Sequence, residues 1–458
     1  MAANITEEFR AQFTGEIVTP ADGAAYEAAI ARWAKNAARK AAAVVYPKST
    51  ADIALALQLE LPVAVRGGAH SASGASSCEG GLVIDLSRHF TDVRVDVEKQ
   101  LAYVGGGAVW KTVDEAAIKH GLATVGGTVN HTGVGGLVLG GGYGWLTARH
   151  GLAIDNFVQA TVVTASGEVV TASDSSNADL MNALRGGGCN FGVVTEFVLR
   201  LHPQRPTVYC GPLVFPGAPE LLDPLRERLA AWWSTAGDDE AAIFGVAPAP
   251  GGGPPVFVFI VFYNGDEDEG KKRIQPFLDL NPIVNGATTI PYEAVNGIQN
   301  DGVPWGGNVY MKGTGTVLTE LLQPSDTRLR DLVTIQQANN PAGAVLFEFF
   351  PLHNVVSRDK EGAHAFRGRA TNNVLCVVQW KDGDTKMETG AGVLARDLVS
   401  TVGDASVSYG NYDDDPAVRT ESKARRQFGD AYEHLQNVKA RYDPGLRFDR
   451  WFPIVPKA

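Results

Sequence analysis

Between Gly133 and Gly144 this chain places seven glycines in twelve residues. Glycine surrenders more backbone entropy on ordering than any other residue. Such density persists only where two backbones come very close or φ must be positive. Further clusters stand at Gly105–Gly107, at Gly186–Gly188 and in the turn Arg66-Gly67-Gly68-Ala69-His70-Ser71. A pair of tight turns would account for one cluster. All of them together point to bare backbone wrapped around a large anionic group, with amide N–H groups as donors. The apolar run Val63-Ala64-Val65 ahead of the turn predicts a strand that breaks at two glycines and delivers one imidazole, His70, to a fixed place.

At 458 residues the chain exceeds what one hydrophobic core usually supports, so two domains are expected. Its net charge of −11, with no basic run to offset it, excludes nucleic acid as a partner, because neutralising a phosphate backbone takes clustered Lys and Arg. Cys78, Cys189, Cys210 and Cys376 have neither CxxC spacing nor neighbouring histidines, which predicts buried thiols rather than zinc ligands or disulfides. The segment Met1–Glu8 carries no apolar signal, and no run approaches the ~20 apolar residues that span a bilayer. An intracellular, cytoplasmic protein without membrane partners is expected, as monomer or homodimer.

Hydrophobic periodicity then orders the elements. Residues 23–44, alanine-rich with apolar spacings of three and four, predict a helix. Strand 44–46, helix 53–60 behind Ser49, and strand 61–65 follow in β-α-β order. Strands are expected at 82–86 and 101–104, with a helix over 108–120. Residues 121–144 lose periodicity and read as a long ordered loop. A hairpin over 158–171, a helix at 180–184 and a strand at 193–201 lead to a boundary at Pro203, Pro206 and Pro212. Beyond it, helices at 220–233, 318–339 and 390–399 alternate with strands at 256–262, 345–350 and 374–380, the order of an open sheet covered by helices. Pro250–Pro255 is expected as a surface turn, and 420–441 as one charged helix before the apolar tail Trp451–Ile454.

Several familiar sites are absent. No glycines fall at i, i+2 and i+5, so the Rossmann fingerprint is missing, as is HExxH. Gly265–Lys272 has the outline of a P-loop, but Lys272 stands where a metal-holding hydroxyl belongs. The carboxylates of Asp266, Glu267, Asp268 and Glu269 would also repel phosphate, so a solvated loop is expected.

Taken in order, Arg66-Gly67-Gly68-Ala69-His70-Ser71, Val83–Ser87, Leu139–Gly144, Gly151–Asn156 and Leu184–Thr195 resemble the FAD-linked oxidases of the vanillyl-alcohol-oxidase superfamily. The resemblance is strongest to the berberine-bridge-enzyme-like branch, whose closing segment is similar to Tyr409-Gly410-Asn411-Tyr412 and Tyr442-Asp443-Pro444. It is dense over 45–205 and 405–455 and thin between. It implies an α+β fold: a PCMH-type FAD-binding domain over 1–206, a substrate domain over 207–415 with an antiparallel sheet covered by helices, and a segment 416–458 returning to the first. It implies FAD held by Arg66, Gly67, Gly68, Ala69, His70, Ser71, Thr128, Thr132, Gly133, Gly135, Gly136, Gly141, Gly142, Val194 and Asn411. The same resemblance makes His70 a covalent tether to the isoalloxazine methyl carbon. Many members add a cysteinyl link; here Val129 stands in the cysteine's place, so His70 is the single tether expected. His131 departs from the family pattern and offers a second imidazole.

The implied reaction takes a proton and a hydride from a CH–OH or CH–NH group of a small organic substrate. Dioxygen would then reoxidise the flavin to give hydrogen peroxide, with small Val134 leaving it room. The candidate catalytic residues are Tyr409, Glu348, Tyr310 and His131, with Tyr412 a further possible base. A tyrosine ordinarily titrates at about 10, so it would need a cation such as Lys312 beside it. Glu348, inside the apolar run Val345–Phe350, is costly unless paired or functional, although a solvent-facing strand position is the plainer reading. Asp413-Asp414-Asp415 reads as a solvated turn and no metal site is expected. Trp305 and Trp380 read as cleft or core aromatics. The alternatives are a dehydrogenase or oxidative cyclase with another electron acceptor, and a flavin-binding protein without turnover.

Overall fold

The computed structural model describes residues 5–249, 253–339, 343–358, 365–366, 369–404, 409–413 and 420–457. The surface turn expected at Pro250–Pro255 lies partly outside them, as do Asp414 and Asp415. Strands β1 (Glu16–Val18), β2 (Ala43–Tyr46), β3 (Val63–Arg66) and β4 (Leu82–Asp85) form the first sheet, in the order β1-β2-β4-β3. Both β2 and β3 run parallel to β4, as a β-α-β crossover requires. The crossover helix, Thr50–Leu57, opens on a reciprocal cap: Ser49 Oγ accepts from the Asp52 N–H, and the Asp52 carboxylate accepts from the Ser49 N–H.

Next come β5 (Val93–Asp96), β6 (Leu101–Gly105), the two-residue β7 (Leu122–Ala123), β8 (Phe157–Val163), β9 (Val169–Ser173), β10 (Val193–Arg200) and the two-residue β11 (His202–Pro203). An antiparallel sheet runs β5-β6-β10-β8-β9, and β7 pairs with β11. The predicted hairpin is β8–β9, closed at Val163 and Val169. Its inner residues Phe157, Ala160 and Val162 share a core with Phe197, Leu199 and the C-terminal helix Tyr432–Tyr442.

The third sheet is built from β12 (Thr207–Pro216), β13 (Glu240–Ala247), β14 (Val256–Tyr263), β15 (Val284–Asn285), β16 (Thr288–Pro291), β17 (Asn308–Thr316), β18 (Gly343–Phe349) and β19 (Asn372–Trp380). Every pairing in it is antiparallel, in the order β15-β12-β14-β13-β18-β19-β17 with β16 on β12. Side chains alternate across it. Phe244, Phe259, Phe347 and Val374 pack under the helices Pro219–Trp233, Glu267–Leu278, Arg328–Asn339 and Thr385–Val402. Ile243, Ile260 and Phe262 point the other way, against Tyr143, Trp145 and Leu152. No helix among the described residues is long and apolar enough to cross a membrane.

Five local expectations are corrected. The helix from residue 23 spans only Ala24–Ile30, because Arg32 turns in to donate to the Ser76 carbonyl at 2.7 Å. The glycine-rich stretch 121–144 is not all loop. Val134–Gly140 is helical, with Val134, Val138 and Leu139 buried on one side. Helix 318–339 is two helices, Leu318–Leu321 and Arg328–Asn339, parted at Pro324, and 420–441 divides at Gly429, whose φ is +47°. Gly265–Lys272 opens a helix over Glu267–Leu278, because carboxylates in the first turn complement the helix dipole.

Candidate active site

Strand β3 ends at Arg66, whose guanidinium donates to the fully buried Asp85 carboxylate of β4 at 2.6 Å and locks the start of the turn. Two glycines follow because nothing larger fits. A Cβ on Gly68 would lie 2.3 Å from the Gly133 nitrogen, and one on Gly67 2.9 Å from the Gly106 carbonyl oxygen. Ala69 takes a left-handed φ of +56°, held by a hydrogen bond from the Trp33 N–H to its carbonyl. The imidazole of His70 then stacks on Trp33, with centroids 4.5 Å apart and planes 11° apart. Its Nε2 lies 2.7 Å from Nδ1 of His131. Burial, with His131 adding to it, pushes the His70 pKa down to about 3, so the ring is neutral.

A long cavity runs from this turn. Gly67, Gly68, Ala69, His70, Ser71, Thr128, Thr132, Gly133, Gly135, Gly136, Val194 and Asn411 all line it, and so does Val129. Three expected residues stand off its wall. Arg66 serves Asp85, while the Gly142 N–H donates to the Tyr409 hydroxyl at 2.8 Å and Gly141 packs against Phe366. Sequence reasoning missed Trp33, which it had placed inside a helix, and Ser76, whose buried hydroxyl has no hydrogen-bond partner among the described residues. The Arg66–Ser76 and Thr128–Gly136 walls carry no carboxylate. A cradle of bare backbone without negative charge, with an unsatisfied hydroxyl in it, fits FAD.

The large sheet roofs the same cavity. Ile243 of β13, Leu346 of β18, Met311 of β17, and Leu375 and Val377 of β19 present an apolar surface to it. Set in that surface is Glu348 of β18, only 5% exposed, so the solvent-facing reading of this strand position is wrong. The Tyr412 hydroxyl donates to Oε1 at 2.6 Å and the Asn373 amide to Oε2 at 2.8 Å. Burial raises the Glu348 pKa to about 7 against those two hydrogen bonds. Tyr409 also lines the cavity. Its oxygen accepts from Gly142 N–H and from Asn411 Nδ2, both at 2.8 Å, and burial keeps the phenol protonated, as it does at Tyr412.

Lys312 gives the tyrosines no help. It pairs with Asp413 at 3.2 Å, as does Lys423, so Asp413 is a buried ion-pair centre and not part of a solvated turn. Tyr310 packs against Gly392 of helix Thr385–Val402, on the face of β17 away from the cavity. Trp380 likewise joins the core beneath the helices. Trp305 is 47% exposed and sits edge-on to His70 and His131.

A family profile described as an FAD binding domain matches residues 41–173. Over 98% of its length the chain is 33% identical to the FAD-linked oxidoreductase pgmH of Aspergillus terreus, covering 96% of that protein. The chain belongs to the FAD-linked oxidoreductases. The oxidoreductase is also 27% identical to the (R)-6-hydroxynicotine oxidase of Paenarthrobacter nicotinovorans, over 97% of both chains. Its fold matches the BBE-like 1 protein of Physcomitrella patens with a TM-score of 0.84 at 21% identity, over 98% of both chains.

Proposed function

We propose that the oxidoreductase is an oxidase that carries FAD on a single covalent tether, His70. It would oxidise a CH–OH or CH–NH group of a small organic substrate and pass the electrons to dioxygen, giving hydrogen peroxide. The observation that carries this reading is the buried Glu348 carboxyl, set in an apolar roof over the cavity that the His70 turn lines. Bound in the cradle, the flavin supplies the hydride acceptor. Glu348 is the base: near neutral pH it has an ionised fraction ready to take the proton from a substrate hydroxyl or amine. Tyr412 and Asn373 hold its two oxygens, and the Tyr409–Asn411 pair fixes the closing segment against Gly142. Val129 brings no sulfur to the wall, which supports a lone histidyl link.

The roof also narrows the substrate. A sugar would bury several hydroxyls against Ile243, Met311, Leu346, Leu375 and Val377 at about 1–3 kcal/mol for each one left unpaired. A compact aromatic alcohol or cyclic amine avoids that cost. We likewise propose the division into 1–206, 207–415 and 416–458 as domains. A peroxide-coupled screen of purified yellow protein against sugars, phenolic alcohols and cyclic amines tests the function. Peroxide equal to substrate consumed is expected from the last two classes. Turnover seen only with an added dye acceptor would make it a dehydrogenase, and failure of every compound to bleach the flavin would overturn the enzyme reading. For the tether, His70→Ala is expected to lose all acid-stable yellow colour; colour that survives acid in that variant removes His70 from the role.

A further inference from the structure

Asp114, on the helix Trp110–Ile118, is 3% exposed and takes no part in the oxidation proposed above. Among the described residues it accepts one hydrogen bond, from Asn296 Nδ2 at 2.7 Å, and pairs with no cation. The charges that bear on it are acidic: Glu115 on its own helix and Glu293 on the facing turn Tyr292–Gly297. Lys111 is turned to Glu115, at 3.8 Å, and Tyr292 is buried beside Asp114. Strands β5, β6 and β7 pack on the same helix and bring it no charge. Burial therefore keeps the proton on this carboxyl up to about pH 7. The facing amide has an atom to spare, because Asn296 Oδ1 is buried without a hydrogen-bond partner. The protonated acid has a second hydrogen bond to give this amide; the carboxylate has none.

Asn296 is also where the 292–303 segment is fastened to the cofactor wall. Its backbone carbonyl accepts from the Asn130 N–H at 2.7 Å, Gln299 donates to the Thr128 carbonyl at 3.0 Å, and Trp33 Nε1 donates to the Val303 carbonyl at 3.0 Å. The helix bearing Asp114 grips the same loop, through Lys111 N–H to the Asn130 carbonyl at 2.8 Å and Trp110 N–H to the Thr132 carbonyl at 3.0 Å. Thr128, Thr132, Gln299 and Val303 all line the cavity.

We propose that Asp114 and Asn296 form a proton-operated latch that sets how firmly the 292–303 segment closes over the His70 end of the cofactor cavity. With the acid protonated, both atoms of the Asn296 amide are satisfied and the segment is held shut. Loss of the proton leaves a buried carboxylate with no cation and an amide oxygen with no donor, each costly away from water. Opening the segment returns both to solvent, where Asp114 titrates as an ordinary aspartate. The closed form binds the proton more tightly, so low pH favours closure and closure weakens as pH rises through about 7. One proton is released on opening, and the opening constant grows by up to about ten-fold for each pH unit above that point. The wall that loosens carries Gln299 and Val303, so entry at the His70 end becomes easier in alkaline solution. The latch needs only the cavity and its wall, whatever the substrate or electron acceptor.

The test is amide hydrogen exchange, read by mass spectrometry on the full-length purified protein as wild type and as Asp114→Asn, from pH about 6 to pH about 9. Dividing the two rates at each pH cancels the intrinsic pH dependence of exchange. Asparagine at this position stays neutral throughout and offers Asn296 both a donor and an acceptor, so its segment stays shut. Over peptides from 292–303 the ratio of wild type to variant is expected to rise by up to about ten-fold per unit above pH about 7. Over the β8–β9 hairpin it is expected to stay flat. Glu348 titrates in the same range but is present in both proteins, so its share cancels. A flat ratio over 292–303 overturns the latch, and so does an equal rise in the hairpin, which would mean loosening of the whole molecule. If Asp114→Asn does not fold, wild-type exchange in 292–303 is divided by that of its own hairpin. A rise of that ratio above pH about 7 then supports the latch, and a flat one overturns it.

Discussion

Glu348 concentrates the site's electrostatics in one side chain. Its folded pKa, about 7, lies above that of the unfolded chain. The folded protein therefore binds the proton more tightly. The stability this contributes is complete below the unfolded value near 4.5 and is lost as pH rises through about 7. Glu348→Gln removes that loss, so at pH about 8 the variant is expected to be more stable than wild type by on the order of 1–3 kcal/mol. Its kcat/KM is expected to fall by about 10²–10⁴, with the rise of the wild-type rate through pH about 7 flattened. Denaturation midpoints and pH–rate profiles for the two proteins check both parts. Equal rates would remove Glu348 as base. The sequence signalled this residue as a carboxylate in an apolar run, but its partners Tyr412 and Asn373 stand 64 and 25 residues away. No local pattern could pair them.

The C-terminal helix Tyr432–Tyr442 shows the same limit for an element. Its apolar face, Leu435 and Val438, joins the core of the five-stranded sheet, but a fully buried cation tightens the join. Lys439 Nζ lies 2.6 Å from Asp443 and donates to the carbonyls of Asn190 at 2.5 Å and Phe448 at 2.7 Å. Lys439→Met leaves the Asp443 carboxylate buried without that cation, although Arg447 and Phe448 N–H groups still donate to it. A loss of about 3–5 kcal/mol is expected in a denaturant titration. Pairing it with Asp443→Leu is expected to restore part of the loss, and a double variant as unstable as the single would overturn the ion-pair account. Element positions were mostly legible: β2, β4, β8, β9 and β10 stand where alternation predicted them. Two of the errors lay at Pro324 and Gly429, where periodicity continues through residues whose backbone stops a helix.

At the scale of the molecule, Asp413 ties three parts together: Lys312 on β17, Lys423 on helix Glu421–Phe428, and the closing segment that carries Tyr409 and Tyr412. Burial alone would raise its pKa, but the two lysines hold the carboxyl below its ordinary range. Its contribution to stability is present above the unfolded pKa and is lost as pH falls through the folded one. Asp413→Asn is expected to cost on the order of 2 kcal/mol near neutral pH and to speed proteolysis of the closing segment. A proteolysis pattern identical to wild type would show that the clasp holds nothing closed.

By itself the sequence determined the chemistry of the cradle. Glycines that must pass backbone against backbone and one histidine at the end of a strand are local facts, and they point to a large anionic group without coordinates; the flavin, and the reading of Val129 as standing where a thiol could, come from the family resemblance. Only the tertiary structure decided which groups act together. It buried Glu348 beneath an apolar roof, spent Lys312 on Asp413 rather than on a tyrosine, turned Tyr310 to the helix side of its strand, and set His131 against His70. The physical reason is that steric demand is written residue by residue along the chain. Charge, burial and proton position depend on neighbours that only the folded sheets bring within hydrogen-bond reach.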